Sequence, residues 1–209
     1  ARDLAHDRRS STGITTIMNG IDTELFRRRP RPERRTDAFT FLYFGRPGVS
    51  KGIEHLIEAM RHLVRAGTQA KLRLILGTDP HDRYVAIAQA AQEPELRKVV
   101  RIDAPIPRSE LPEAIAAADC VVVPSLAEGF GFTAVEACAV GTPLVCTNVE
   151  PLPNVVSGKV VFVPPGNPEE LARGMRTMLE GKYEVIPDRN FSWERAAREY
   201  EAIYGEVVR

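Results

Sequence analysis

PSLAEGFGFTAVEACAVGTP, Pro124 to Pro143, is the stretch on which the reading of this 209-residue chain turns. It follows a short apolar run, Cys120 to Val123, and leads into a segment of helical composition from Phe132 to Val140. The order is therefore buried strand, glycine loop, helix. Gly129 and Gly131 let the backbone turn sharply and come close to a ligand. The helix behind them offers unpaired N–H groups and the positive end of its dipole, and together these bind phosphate. Two acids flank the loop, eight residues apart: Glu128 before the helix and Glu136 about one turn inside it. Phosphate repels a carboxylate, so these acids suit sugar hydroxyls better, as when an acid holds ribose.

Outward from this stretch the same alternation repeats. Apolar runs at Phe39 to Phe44, Leu72 to Leu76, Val99 to Ile102, Cys120 to Val123, Leu144 to Cys146 and Val160 to Val163 read as six strands. Between them Ile53, Leu56, Ile57, Met60, Leu63 and Val64 recur at helical spacing. Val85 to Ala91, Leu111 to Ala118 and Pro168 to about Glu180 read as further helices, and a last amphipathic helix starts near Ser192. Ser109 is expected to cap the helix at Leu111, and Asp79-Pro80-His81-Asp82 to be a capped helix start. Ile14 to Met18 reads as a short strand before the Asn19-Gly20 turn. Uninterrupted apolar strands are covered on both faces. The expected fold is therefore α/β, a doubly wound, parallel, six-stranded Rossmann-like sheet. Ligands of such sheets bind outside the carboxyl ends of the strands.

The first strand ends in Gly45-Arg46-Pro47-Gly48-Val49-Ser50-Lys51-Gly52. Arg46 offers a planar fork for phosphate and Lys51 a point charge, and both can face one site. Departure of a nucleotide builds negative charge on a diphosphate, which fixed cations and helix N–H groups stabilise. A metal would serve the same end. No Asp-x-Asp is present to hold one, so metal-independent chemistry without a cofactor is expected.

Composition narrows the classes. Lys plus Arg and Asp plus Glu both number 28, which gives no bulk attraction to nucleic acid or a membrane surface. The arginines at 27 to 29 and 31 to 35 lie among prolines and read as a solvated loop. Cys120, Cys138 and Cys146 lack metal-ligand spacing and sit in apolar surroundings, as buried free thiols of a reducing compartment do. No apolar run reaches the ~18 residues of a membrane span, and the N-terminus is not signal-like. A cytoplasmic protein is expected.

The motif Pro-Ser-x-x-Glu-Gly-Phe-Gly-x-x-x-x-Glu-Ala-x-Ala-x-Gly-Thr-Pro resembles the donor-binding motif of glycosyltransferase family 4, retaining enzymes of the GT-B fold. Gly45-Arg46 with Lys51-Gly52 is similar to that family's Gly-Arg…Lys-Gly element. Asn19-Gly20-Ile21-Asp22 with Phe26 resembles its entry into the second domain, and Phe191-Ser192-Trp193 the start of its final helix. Trp193 is read there as a packing anchor. The resemblance implies that the chain is the C-terminal half of a GT-B enzyme binding a UDP-, GDP- or ADP-linked sugar. It places Glu128 at the donor sugar, Glu136 at the ribose, and Gly129, Phe130, Gly131, Phe132 and Thr133 along the sugar and diphosphate. Gly45, Arg46 and Lys51 fall at the diphosphate, and Pro105 and Ile106 at the base. Arg46, Lys51 and Glu128 are the residues it assigns to the chemistry, with no metal ligand.

The sequence departs from the family at two places near this site. Asn148 to Asn154 lacks the usual glycine pair and acid, and Gly77-Thr78-Asp79-Pro80 replaces a Gly-x-Gly-like loop. Residues 1–20 read as tail and linker from a missing N-terminal domain, 21–190 as the nucleotide-sugar domain, and 191–209 as a helix packing toward the missing domain. That domain would carry the acceptor site and any peripheral membrane contact. The chain by itself is expected to bind donor and to transfer little or nothing. Two other readings remain open at this point: a nucleotide-sugar epimerase of the GT-B kind and a non-catalytic nucleotide-sugar-binding module. An NAD-dependent oxidoreductase is disfavoured, because the first strand-to-helix turn lacks Gly-x-Gly-x-x-Gly.

Overall fold

The computed structural model describes residues 15–31 and 38–207. They form two compact units, Thr23–Arg189 and a smaller one joining the two ends of the chain, with described residues 15–22 and 190–207.

The larger unit is built on one sheet. Its strands are β1 (Phe39–Gly45), β2 (Ala70–Leu76), β3 (Val100–Asp103), β4 (Cys120–Val123), β5 (Leu144–Thr147), β6 (Gly158–Val163) and β7 (Glu184–Ile186). They lie in the order β3-β2-β1-β4-β5-β6-β7. The six expected strands are present and mutually parallel. A seventh runs antiparallel to β6, with Val160 opposite Glu184. It escaped the sequence reading because it is short and solvent-facing, with Val185 73% exposed, and so has no apolar run to announce it.

The crossover helices are α1 (Ile53–Arg65), α2 (His81–Ala91), α3 (Leu111–Ala116), α4 (Phe132–Val140), α5 (Leu152–Val155) and α6 (Pro168–Leu179). In α1 the buried set Ile53, Leu56, Ile57, Met60 and Leu63 keeps the i, i+3, i+4, i+7 rhythm of one apolar face. Each such side chain contributes roughly 1.5–3 kcal/mol on burial. The stripe packs on α6 and joins Leu72, Leu74 and Leu76 of β2 in the core. In α6, Asn167 caps the first turn, its side chain accepting from the Glu170 amide at 3.1 Å, with Pro168 at the first helical position.

Several local expectations fail. Ser109 is not a cap. It lies inside a 3-10 turn, Arg108–Glu110, which runs straight into α3, and the Glu110 amide is satisfied by Pro107 O at 2.9 Å. Pro80, not an acid, stands before α2, with no side-chain cap; Asp82 is in the first turn, where its charge suits the dipole. The arginine loop is solvent-exposed at Arg27, Arg28 and Arg31, as read, and it is also ion-paired: Arg29 meets Glu113 at 2.5 Å, Arg28 meets Asp188 at 3.3 Å, and Arg31 holds the buried Asp119. Residues 32–35 of that loop are outside the described residues. All three cysteines are free and buried, as read from sequence.

In the smaller unit, helix α7 (Trp193–Val207) is capped by Ser192, whose hydroxyl accepts from the Arg195 amide at 3.1 Å. Residues 15–20 form no strand; among the described residues the pairing at this place is a parallel bridge between Ile21 and Ser192, with Ile21 N–H donating to Phe191 O at 2.7 Å. Ile14 of the expected strand lies outside the described residues. Arg195 reaches back to Met18 O at 2.9 Å. Ile21 and Phe191 are the buried anchors, whereas Trp193 is 52% exposed.

Candidate functional site

Strands β1, β2 and β3 advance toward one edge of the sheet and β4, β5 and β6 toward the other. The order in which strands are added therefore reverses between β1 and β4, and a crevice opens outside their carboxyl ends. Two loops meet there: residues 45–52 after β1 and residues 124–131 after β4.

Backbone contacts clip the two loops together. Leu126 N–H donates to Ser50 O at 2.7 Å, and Ala127 N–H reaches the same oxygen at 3.4 Å. Gly52 sits at φ 64, and a Cβ there would lie 2.1 Å from Pro124 O. No other residue fits both the left-handed conformation and the contact. The first loop is also tied from behind. Tyr43 donates its hydroxyl to Arg46 O at 3.1 Å, Arg83 donates to Pro47 O at 2.9 Å, and Gly77 N–H donates to Gly45 O at 3.0 Å. Burial, and then the Glu128 and Glu54 carboxylates, push the Tyr43 hydroxyl well above its ordinary range, so it remains a donor.

Gly131 opens α4 at φ 92, with its absent Cβ 2.5 Å from the Leu152 side chain. Leu152 is fully buried and belongs to α5, which forms from the atypical Asn148 to Asn154 segment. That segment thus supports the glycine loop from beneath. Gly129 differs: nothing lies within 4 Å of where its Cβ would be, and its φ is not positive. Its part in the sharp turn falls to Gly131, and Gly129 leaves open space over the loop. Phe130 is buried, its ring edge-on to Phe132 at 5.0 Å.

A cleft of about 510 Å³ runs from the β1 loop to the start of α4. That volume suits a small-molecule site. Seven of the expected residues line it: Gly45, Arg46, Pro105, Ile106, Phe132, Thr133 and Glu136. Thr133 is fixed by its hydroxyl donating to Phe44 O at 3.5 Å. Lys51 and Glu128 are not among the lining residues; they pair with each other, Nζ to Oε1, at 2.8 Å. Ser125 donates to the same Glu128 oxygen at 2.8 Å, and the Glu128 side chain is only 6% exposed. The two cations expected to face one point are thus divided, Arg46 in the cleft and Lys51 on the carboxylate.

Glu136 is buried inside α4 and meets Arg108 through Oε1 at 2.9 Å. Burial raises its carboxyl above the ordinary range, and the Arg108 charge and hydrogen bond pull it part of the way back. Arg108 also lines the cleft, and the sequence reading missed it. It is one arginine in an arginine-rich chain, and nothing in its spacing marks a partner 28 residues away.

Arg73 and Arg101 bond the Asp103 carboxylate at 2.6 and 2.5 Å at the end of β3. Burial opposes its charge, but these two hydrogen bonds win and hold Asp103 below the ordinary range. Among the described residues no three His, Cys, Asp or Glu side chains gather as a metal site, and no helix is long and apolar enough to cross a membrane.

This strand order, with a cleft at the reversal point and a glycine loop opening a helix into it, defines a Rossmann-like domain. The family model for glycosyl transferases group 1 matches residues 26–200, and the chain belongs to that family. It is 31% identical to D-inositol 3-phosphate glycosyltransferase 1 of Catenulispora acidiphila, over 93% of this chain and 52% of the relative. Among solved structures, sucrose-phosphate synthase of Thermosynechococcus elongatus superposes with a TM-score of 0.78 at 27% identity, over 99% of this chain and 56% of that one. The Anabaena HepE protein, solved with UDP-glucose, shares the fold at a TM-score of 0.66 and 24% identity, over 79% of this chain and 47% of its own. The fold is that of the C-terminal half of GT-B glycosyltransferases, and the chain spans about half the length of the curated relative.

Proposed function

We propose that the chain is the donor-binding half of a retaining, metal-independent glycosyltransferase of family 4, taking a UDP-, GDP- or ADP-linked sugar. The observation that carries this reading is the convergence of Arg46, the N-terminus of α4 and the buried Glu136 on one cleft. In transfer, the bond from the sugar carbon to the terminal phosphate oxygen breaks with its electron pair staying on the diphosphate, while the sugar carbon bonds to the acceptor's hydroxyl oxygen, whose proton passes to the departing diphosphate. Arg46 and the first amides of α4 meet that charge, each preorganised donor of this kind lowering such a barrier by roughly 2.7–4 kcal/mol. Lys51 joins them when an incoming anion competes with Glu128 for it, which frees Glu128 to accept from sugar hydroxyls. Glu136 accepts from the ribose, and the backbone at Pro105 and Ile106 faces the base. HepE, of the same fold, was solved with UDP-glucose, which supports a nucleotide-sugar donor.

The acceptor site belongs to an N-terminal half that the curated relative's greater length leaves room for. We place that half against α7, where Trp193, Tyr200 and Tyr204 stand exposed. The chain alone binds donor and transfers little. Its buried free thiols fit a cytoplasmic enzyme. Calorimetric titration of UDP, GDP and ADP into the chain, without and with EDTA, tests the reading. One of the three is expected to bind with a micromolar to sub-millimolar Kd. Absence of binding by all three at millimolar concentration would refute it, and binding that vanishes with EDTA would refute metal independence.

A further inference from the structure

We infer that Arg108 is a positioning residue for the nucleotide: it holds the Glu136 carboxylate as a fixed acceptor for the ribose, and so lets the site tell a ribonucleotide from its 2′-deoxy counterpart. The inference rests on the donor-binding reading above and adds to it a residue on a different loop.

Four observations carry it. Glu136 is 4% exposed, on a helix whose neighbouring residues Ala134, Val135, Ala137 and Cys138 are apolar and buried as well. A carboxylate in such surroundings is expensive unless it is paired. The charge acting on it is that of Arg108, at 2.9 Å. Arg108 is itself held in place, its guanidinium stacked 4.8 Å over the ring of Phe26, which is 1% exposed. Finally, both partners line the same cleft, with Arg108 two residues beyond Ile106 on the loop that follows β3.

The pairing leaves the carboxylate usable. An ionised carboxylate has about four acceptor positions, and Arg108 takes one at Oε1. The ribose hydroxyls can therefore be accepted while the ion pair stays closed. Without Arg108, burial acts on Glu136 unopposed and drives it toward the neutral acid. A neutral acid accepts weakly and needs an acceptor for its own proton. A hydrogen bond to the charged group discriminates by on the order of 10- to 100-fold, and one to a neutral group by only a few-fold.

The test compares UDP, GDP and ADP with their 2′-deoxy forms by calorimetry on the chain and on Arg108→Leu, Arg108→Gln and Arg108→Lys, with folding checked by thermal unfolding. Arg108 is 60% exposed at its side chain, so the variants are expected to melt close to the parent. The parent should prefer the ribonucleotide by on the order of 10- to 100-fold. Arg108→Leu and Arg108→Gln should collapse that ratio to a few-fold, and Arg108→Lys, which keeps the charge, should restore most of it. A merely structural role would weaken both forms equally and leave the ratio alone. A parent that binds nucleotides and discriminates, with the ratio unchanged in Arg108→Leu and Arg108→Gln, overturns this inference and leaves the donor reading standing. A parent that binds both forms equally overturns the ribose assignment of Glu136 and the inference with it. A parent that binds no nucleotide overturns the donor reading as well.

Discussion

Replacing Gly52 with alanine should damage the protein far more than the same change at Gly129, although both glycines lie in the loops at the cleft. At Gly52 the new Cβ would stand 2.1 Å from Pro124 O on a backbone at φ 64. A non-glycine residue in the left-handed region costs roughly 1–2 kcal/mol. The contact forces the Pro124 carbonyl aside by about 1 Å, since ordinary contacts of this kind lie beyond about 3 Å. That movement breaks the 2.7 Å bond from Leu126 N–H to Ser50 O, worth roughly 0.5–1.5 kcal/mol. The lower entropy of the unfolded alanine chain offsets about 0.4–1 kcal/mol. The net cost is about 2 kcal/mol, or roughly 4–8 °C in Tm for a chain of this size. Gly129→Ala meets nothing within 4 Å and no positive φ, so its Tm should change by no more than about 0.5 kcal/mol implies. The methyl does fill space left open over the loop, and where the donor approaches that backbone it should weaken nucleotide binding roughly tenfold. Differential scanning calorimetry and nucleotide titration on the two variants separate the effects. Equal melting temperatures for Gly52→Ala and Gly129→Ala would refute the clip between the loops.

Two further outcomes follow from buried titratable groups. Because burial raises the Glu136 carboxyl, the folded chain keeps that proton to higher pH than the unfolded chain does, and ionisation removes stability as pH rises through the raised value. Glu136→Gln should therefore be more stable than the parent near neutral pH, while binding nucleotide more weakly. The gain should close below the ordinary glutamate range, and a variant that melts lower than the parent at every pH would contradict the account. The cysteines give a chemical readout: burial pushes the Cys138 thiol up to about 11 and raises Cys120 and Cys146 too. Ellman's reagent at about pH 8 should find essentially no fast thiol in the native chain and all three after denaturation. Stoichiometric labelling of the native chain within seconds would show that these residues are not packed as described.

The parallel core was legible because each of its strands is an apolar run and each long helix repeats one buried face, as in Ile53 to Leu63. What escaped reading lacks that signal. Glu184 to Ile186 faces solvent, and Leu152 to Val155 holds a proline within its single turn. Ile14 to Met18 looked like a strand by composition, but its described residues pair with no strand, and Met18 O accepts from Arg195 of another part of the chain. Twelve donor-site residues were named from motifs, and seven of them line one cleft, because the strand-end rule depends only on topology. The pairings were not legible. Lys51 meets Glu128 across 77 residues and Arg108 meets Glu136 across 28, and such distances are set by how strands order themselves in the sheet.

The clip between the β1 and β4 loops also bears on how donor preference can change over descent or by engineering. Residues 45–52 and 124–131 share hydrogen bonds and one contact that admits only glycine, so an insertion or graft in either alone breaks the other's footing. They should be inherited and exchanged as a pair. The loop from Ala104 to Pro107 is held by no such reciprocal bond among the described residues, so it can vary alone. Chimeras between relatives should therefore tolerate a swapped Ala104 to Pro107 loop, and should need residues 45–52 and 124–131 from the same parent.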